Sequence, residues 1–249
     1  MNLLSIVIAT YNPGSVIVKA LESVCGQTFD DWECIVVDGG STDETIRIVK
    51  EFESRDGRIR HISESDQGIY DAFNKGWNLA KGEWVYYLGA DDELLKDGFS
   101  EFFKTDLSDV EVAYGDVVYK NPLRNVRKPS NPNIPSVRER LNTSHQGFIM
   151  KREVIERLGG FDYKTYRISA DYHLILKSYL QGARFKYIPR ELAIFNCTGV
   201  SGGYDMLSDC YCIRRELKSI PWVKNIYIYV VEYIRLTIRK VAYSLFGKN

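Results

Sequence analysis

The sequence has few cysteines, no net charge and no long apolar run. The 249 residues hold five cysteines, Cys25, Cys34, Cys197, Cys210 and Cys212. A chain of this size needs no disulfide staples and an odd count leaves one thiol over, so a reducing, cytoplasmic setting is expected. Cys210-x-Cys212 has no second Cys or His pair at zinc spacing, which argues against structural zinc. Lys and Arg total 33 against 33 Asp and Glu, so there is no basic footprint for nucleic acid. Met1 to Ala9 is apolar, but no basic residue precedes it and no small-residue cleavage site follows, so it is not expected to be a signal peptide. The most apolar tail stretch, Asn225 to Val231, meets Glu232 after seven uncharged residues, whereas a membrane span needs roughly 20 apolar residues. The first loop, ATYNPG, carries no basic residue and no G-x-G-x-x-G, which speaks against a nucleotidyltransferase and a Rossmann dehydrogenase. There are no internal repeats.

What remains is 45% hydrophobic and 27% charged, a balance that fits one large α/β domain or two small ones. Leu3 to Ala9 and Glu33 to Val37 are apolar runs of strand length, suited to parallel strands buried on both faces. Ile59 to Ile62 and Trp84 to Leu88 read as two more strands. Helical spacing fills Val16 to Val24, Thr42 to Glu53 and Ile69 to Ala80, with Ser41 and Glu44 as a capping box for the second and Gly82 as a stop for the third. Four strand–helix alternations predict a mostly parallel sheet. Polar residues follow the strands: Thr10, Tyr11 and Asn12, then Asp38, then Asp66, then Asp91 and Asp92. In open α/β sheets these carboxyl ends form the ligand crevice.

The second half is less regular. Val110 to Tyr119, His145 to Met150 and Phe185 to Ile188 read as strands. Arg152 to Leu158 reads as a helix stopped by Gly159-Gly160, and Ser169 to Leu180 as a helix with Ser169 at its N-cap. Asn121 to Pro135 holds four of the seven prolines and reads as an exposed loop. Thr198 to Tyr204 (TGVSGGY) reads as a flexible loop.

Adjacent carboxylates at a strand end, Asp91 and Asp92, suit a hard divalent cation, magnesium or manganese, bridging to a phosphate. An Asp-rich surface turn is the alternative. Asp38 before Gly39-Gly40 allows close approach of a ligand, or simply makes a turn and cap. Asp171 in a first helical turn ordinarily complements the helix dipole. His145 lies in the polar cluster Ser144-His145-Gln146 ahead of an apolar strand. Lys75 and Asn74 reach either a donor or the solvent.

VIATYNPG (7–14), VVDGGSTDET (36–45), SDQGIYDAFNKGWNLAKGEW (65–84), LGADD (88–92) and HQGFIMKREVIERLGGFDYKTYRISADYHLIL (145–176) occur in one order. Together they resemble glycosyltransferase family 2, the inverting GT-A nucleotide-sugar transferases, in the bacterial branch that builds surface polysaccharides. The resemblance covers residues 3–200. It implies a GT-A α/β fold over 1–220, with a nucleotide-sugar half (1–95) and an acceptor half (96–220). It further implies a donor, a UDP-sugar first, bound by Thr10, Tyr11, Asp38, Asn74, Lys75, Asp91 and His145. It places a Mn2+ or Mg2+ ion at Asp91 and Asp92, Asp171 as the catalytic base, and a glycan or lipid-linked acceptor. Three departures stand out: many relatives carry a second Asp at the position of Gly39, another Asp at that of Gly89, and Glu-Asp where this chain has Ala170-Asp171. A non-catalytic nucleotide- or sugar-binding scaffold is the other class of function left open.

Residues 221–249 are basic, with Lys224, Arg235, Arg239, Lys240 and Lys248 against Glu232 alone. At roughly 100° per residue, Val223, Ile226, Val230, Ile234, Val241 and Leu245 share one face and Lys224, Glu232, Arg235 and Arg239 the other. Such a helix is expected to lie on a membrane surface. The alternatives are packing on its own domain or against a second subunit in a homodimer.

Overall fold

The computed structural model describes residues 3–120, 125–196 and 203–246. Strand β1 (Leu4–Thr10) is followed by α1 (Ile17–Cys25), β2 (Trp32–Asp38), α2 (Thr45–Arg55), β3 (Ile59–Ser63), α3 (Ile69–Leu79) and β4 (Trp84–Gly89). The four strands are parallel in the order β3-β2-β1-β4. Both faces of β1, β2 and β4 are covered, so their residues are buried without alternation. Successive residues serve opposite faces. Ile6, Ile8, Cys34, Val36, Tyr86 and Leu88 pack with α1 and α2, whereas Val7, Ala9, Ile35, Val37, Val85 and Tyr87 pack with α3 and α6 (Ala170–Leu180). Gly76 lets α3 sit close on β1, since a Cβ there would lie 2.2 Å from Val7 Cγ1.

Beyond β4 the sheet becomes mixed. β5 (Glu93–Leu94), α4 (Gly98–Phe102), β6 (Val112–Lys120), β7 (Asn125–Lys128), β8 (Phe148–Lys151), α5 (Arg152–Leu158), α6 and β9 (Phe185–Asn196) complete it. The order continues β4-β8-β6-β9-β5, with β7 on β6. β8 runs antiparallel to β4 and β6, and β9 runs parallel to β6 through two register shifts around Asp116. The sheet and its flanking helices form a GT-A fold.

Several expectations need correction. Asn125–Lys128 is not loop but strand β7, because its backbone pairs with β6. After it Ser130 is buried, its amide donating to Asp116 Oδ1 (2.8 Å) and its hydroxyl to Gly115 O (2.7 Å). His145–Gly147 is a 3-10 turn, so the strand starts only at Phe148. There is no capping box: α2 starts at Thr45, and the Ser41 hydroxyl is spent on Asp38. Ser169 does precede α6 but makes no side-chain cap bond. Most of the TGVSGGY loop lies outside the described residues.

The tail forms two helices, α7 (Tyr204–Glu216) and α8 (Trp222–Phe246). α8 docks through Asn225, which accepts from Arg214 Nε (2.7 Å) and donates to Tyr211 O (3.0 Å), and through the ring pairs Tyr211–Tyr229 and Tyr204–Tyr233. The expected apolar face is not the docked one. Val223, Ile226, Val230, Ile234 and Val241 remain between 40% and 60% exposed. No helix among the described residues is long and apolar enough to cross a membrane.

Candidate active site

The carboxyl ends of β2 and β3 are tied together by Asp38, which is fully buried. Its Oδ2 accepts from the amides of Gly40 (3.1 Å) and Ser41 (2.9 Å) and from Ser63 Oγ (2.7 Å), and its Oδ1 accepts from Ser41 Oγ. Those bonds fix the β2–α2 turn and engage both oxygens of a side chain that is fully buried. The β1 loop is latched onto the same turn. Asn12 takes a positive φ of 48°, a conformation Asn tolerates, and its Oδ1 accepts from Thr42 N (2.8 Å) while its amide donates to Ser41 Oγ (2.7 Å). Thr10 Oγ1 is buried with no partner, and Tyr11 is 67% exposed.

At the end of β4, Asp91 and Asp92 part company. Asp91 is exposed. Asp92 is buried, with Oδ2 accepting from Gln146 Nε2 (2.6 Å) and Oδ1 from Asn196 N (2.9 Å). Burial pushes its carboxyl up, against the pull of those two donors. Gly89 is needed beneath them, because a Cβ there would lie 2.6 Å from Asp92 Oδ2 and 3.1 Å from Asp91 Oδ1. No group of three or more His, Cys, Asp or Glu side chains among the described residues converges on a metal position. Among the described residues, the open carboxylate at the end of β4 is therefore Asp91. That arrangement suits magnesium or manganese only when substrate phosphates and water complete the shell.

The same 3-10 turn carries the other half of the site. His145, next to Gln146, places Nδ1 3.7 Å from Asp171 Oδ2, with both side chains largely shielded. Asp171 stands in the first turn of α6 and accepts from Tyr172 N (2.7 Å). The buried Tyr70 phenol lies beside it and donates to Ile168 O (2.8 Å). Burial and the Asp171 charge keep that phenol protonated. His145 Nε2 and Tyr87 Oη are buried without partners, at the edge of a small apolar cavity that Phe73, Phe148, Phe161 and Leu174 also line. One turn thus links the acidic end of β4 to Asp171, through Gln146 on one side and His145 on the other.

Two expected donor ligands are otherwise engaged. Asn74 clasps α3 to the segment after α5: Nδ2 donates to Phe161 O (2.8 Å), and Oδ1 accepts from Phe161 N (2.8 Å) and Trp77 Nε1 (3.0 Å). Lys75 Nζ donates to Ser65 O (2.7 Å) and pairs with Glu64 (2.9 Å), which holds the loop after β3. Sequence reasoning missed Gln146 and Asn196 as supports of Asp92. The Ser144-His145-Gln146 cluster pointed to the first; nothing local marks the second.

A family model described as glycosyl transferase family 2 matches residues 5–163. The chain belongs to glycosyl transferase family 2. It is 32% identical over 222 residues to a PGL/p-HBAD biosynthesis glycosyltransferase of Mycobacterium tuberculosis, covering 87% of this chain and 83% of that protein. It superposes on Staphylococcus aureus TarS 1–349 in complex with UDP with a TM-score of 0.70, at 18% identity, covering 98% of this chain and 75% of that one. The mannosyltransferase PcManGT of Pyrobaculum calidifontis, in complex with GDP-Man and Mn2+, matches with a TM-score of 0.66 at 18% identity, covering 94% and 75%. As a family 2 glycosyltransferase, the chain has its four parallel strands, but for Leu4 of β1, inside the matched region, while Asp171 lies just beyond it.

Proposed function

We propose that this glycosyltransferase moves a sugar, with inversion, from a UDP-sugar to a hydroxyl of a glycan or lipid-linked acceptor in the synthesis of a bacterial surface polysaccharide. The observation that carries the reading is the shared turn, through which His145 meets Asp171 and Gln146 meets Asp92, the neighbour of the exposed Asp91. In this reading residues 1–220 are the catalytic unit, 1–95 hold the donor and 96–220 face the acceptor. The UDP of the TarS complex supports the donor class, as the Mycobacterium relative supports a role in glycan assembly.

Asp171 accepts the proton of the acceptor hydroxyl as that oxygen attacks the anomeric carbon. The new C–O bond forms on the face opposite the nucleotide, so configuration inverts without a covalent intermediate. The old bond from carbon to phosphate oxygen breaks, and its electron pair leaves with the nucleoside diphosphate. His145, with Nδ1 3.7 Å from Asp171 Oδ2, orients the carboxylate. Asp91 would hold Mn2+ or Mg2+ against the diphosphate, where the ion supplies Lewis-acid stabilisation of the leaving charge. Asp92, held by Gln146 and Asn196, supports that strand end. Thr10, with an unpartnered hydroxyl, and Tyr11 lie on the donor side.

The uncovered face of α8, flanked by Lys and Arg, suits an anionic lipid surface. This would keep the enzyme peripheral on the cytoplasmic face of the membrane, close to a lipid-linked acceptor. The experiment is proton NMR of donor turnover: a UDP-α-sugar should give the β-configured sugar first, and Asp171→Asn should suppress it. An α-configured first product would overturn inversion.

A further inference from the structure

The crevice holds a carboxylate that the motif reading leaves without a role. Asp66 lies three residues beyond β3, in the loop that Lys75 holds through Ser65 O and Glu64. A Cβ built on Gly39 would lie 2.6 Å from Asp66 Oδ2 and 3.0 Å from its Cγ. The Asp66 carboxylate therefore fills the space that any side chain at position 39 would take. Its Oδ1 accepts from Gly68 N (2.9 Å) and orders the turn into α3. Its Oδ2 has no hydrogen-bond partner among the described residues, whereas every oxygen of neighbouring Asp38 is engaged. The partnerless Thr10 Oγ1 lies close by, since Thr10 O accepts from Gly39 N (2.9 Å).

We infer that Asp66, and not Asp38, reads the base of the donor, with Gly39 clearing the space its carboxylate occupies. This rests on the proposed nucleotide-sugar donor. A carboxylate is acceptor-only, so it selects a base that presents a ring N–H. Uracil does so at N3; cytosine presents a lone pair there and is disfavoured. The chain thus keeps a base-reading carboxylate although position 39 has no side chain, and it supplies that carboxylate from the β3–α3 loop.

The test is calorimetric titration of the full chain, with Mn2+, using UDP, CDP and N3-methyl-UDP. A hydrogen bond to a charged group corresponds to about 10- to 100-fold in affinity. The wild type should prefer UDP over CDP, and over N3-methyl-UDP, by about that factor. Asp66→Asn keeps an oxygen for Gly68 N but turns a donor toward the base. It should weaken UDP by about 10- to 100-fold, lose its sensitivity to N3 methylation and favour CDP relative to the wild type. If UDP binding in Asp66→Asn stays within twofold of wild type, with the UDP/CDP ratio unchanged, the assignment is overturned while the proposed function stands. If the wild type binds no nucleotide, the proposed function falls with it. Should the variant fold poorly, equal wild-type affinity for UDP and N3-methyl-UDP is by itself enough to overturn the assignment.

Discussion

Replacing Asn74 by Ala separates a structural clasp from a donor ligand. The side chain makes three hydrogen bonds, two to the backbone of Phe161 and one from the Trp77 indole. Asn74 and Trp77 are half-buried and Phe161 is buried. At about 1 kcal/mol net for each lost bond, the variant should lose about 3 kcal/mol. For a domain of this size each kcal/mol moves Tm by about 2–4 °C, so Tm should fall by about 6–12 °C. Differential scanning calorimetry reads the shift, and donor KM is measured well below the new transition. The expected result is a large fall in Tm with KM nearly unchanged. An unchanged Tm with a tenfold rise in KM would make Asn74 a donor contact and refute the clasp.

Asp171→Asn should lower kcat by about 10²- to 10⁴-fold and leave Tm in place, because the amide oxygen can still accept from Tyr172 N; initial rates within threefold of wild type would remove Asp171 from the role of base. His173 is buried, with Nε2 3.6 Å from Glu216 Oε1, and also faces Lys177 and Asp162. Burial lowers its pKa in the folded chain below the unfolded value of about 6.5. The unfolded state therefore binds more protons as pH drops through that value, and this contribution to stability is lost on acidification. Tm measured from pH 7.5 down to 5 should fall less steeply in His173→Leu, and parallel curves would argue against this. The full chain should sediment with phosphatidylglycerol vesicles, and Ile234→Glu with Ile238→Glu, both on exposed positions of α8, should leave it in the supernatant. Retention of the wild type in the supernatant would return that face to a protein partner.

β1, β2 and β4 are legible in the sequence because both of their faces are covered, so burial writes itself as unbroken apolar runs. β9 is legible only to Ile188. The expected strand stops there, yet the observed one continues to Asn196 by pairing with β6 across the shifted register at Asp116. β7 and α7 carry little local signal, and their positions are set by partners far along the chain. The site divides in the same way. Residue type and motif single out His145, Asp171, Asp91 and Asp92, and folding brings His145 to Asp171 and Gln146 to Asp92. Which carboxylate stays open is decided by distant donors, Asn196 and Gln146 for Asp92 and Ser63 for Asp38. Asn74 looks like a ligand in its motif, but its partner Phe161 lies 87 residues away.

If Asp91 presents a metal to the diphosphate of a nucleotide donor, nucleotide and metal must bind together and through that carboxylate. The most direct measurement is the thermal shift produced by UDP, with and without Mn2+, on the wild type and Asp91→Asn. A ligand at 100 times its Kd stabilises the folded state by about 2.7 kcal/mol, or about 5–11 °C here. A shift of that order is expected for the wild type only when Mn2+ is present, and it should be lost in Asp91→Asn. No shift with UDP under either condition, or an equal shift in the variant, would contradict that role of Asp91.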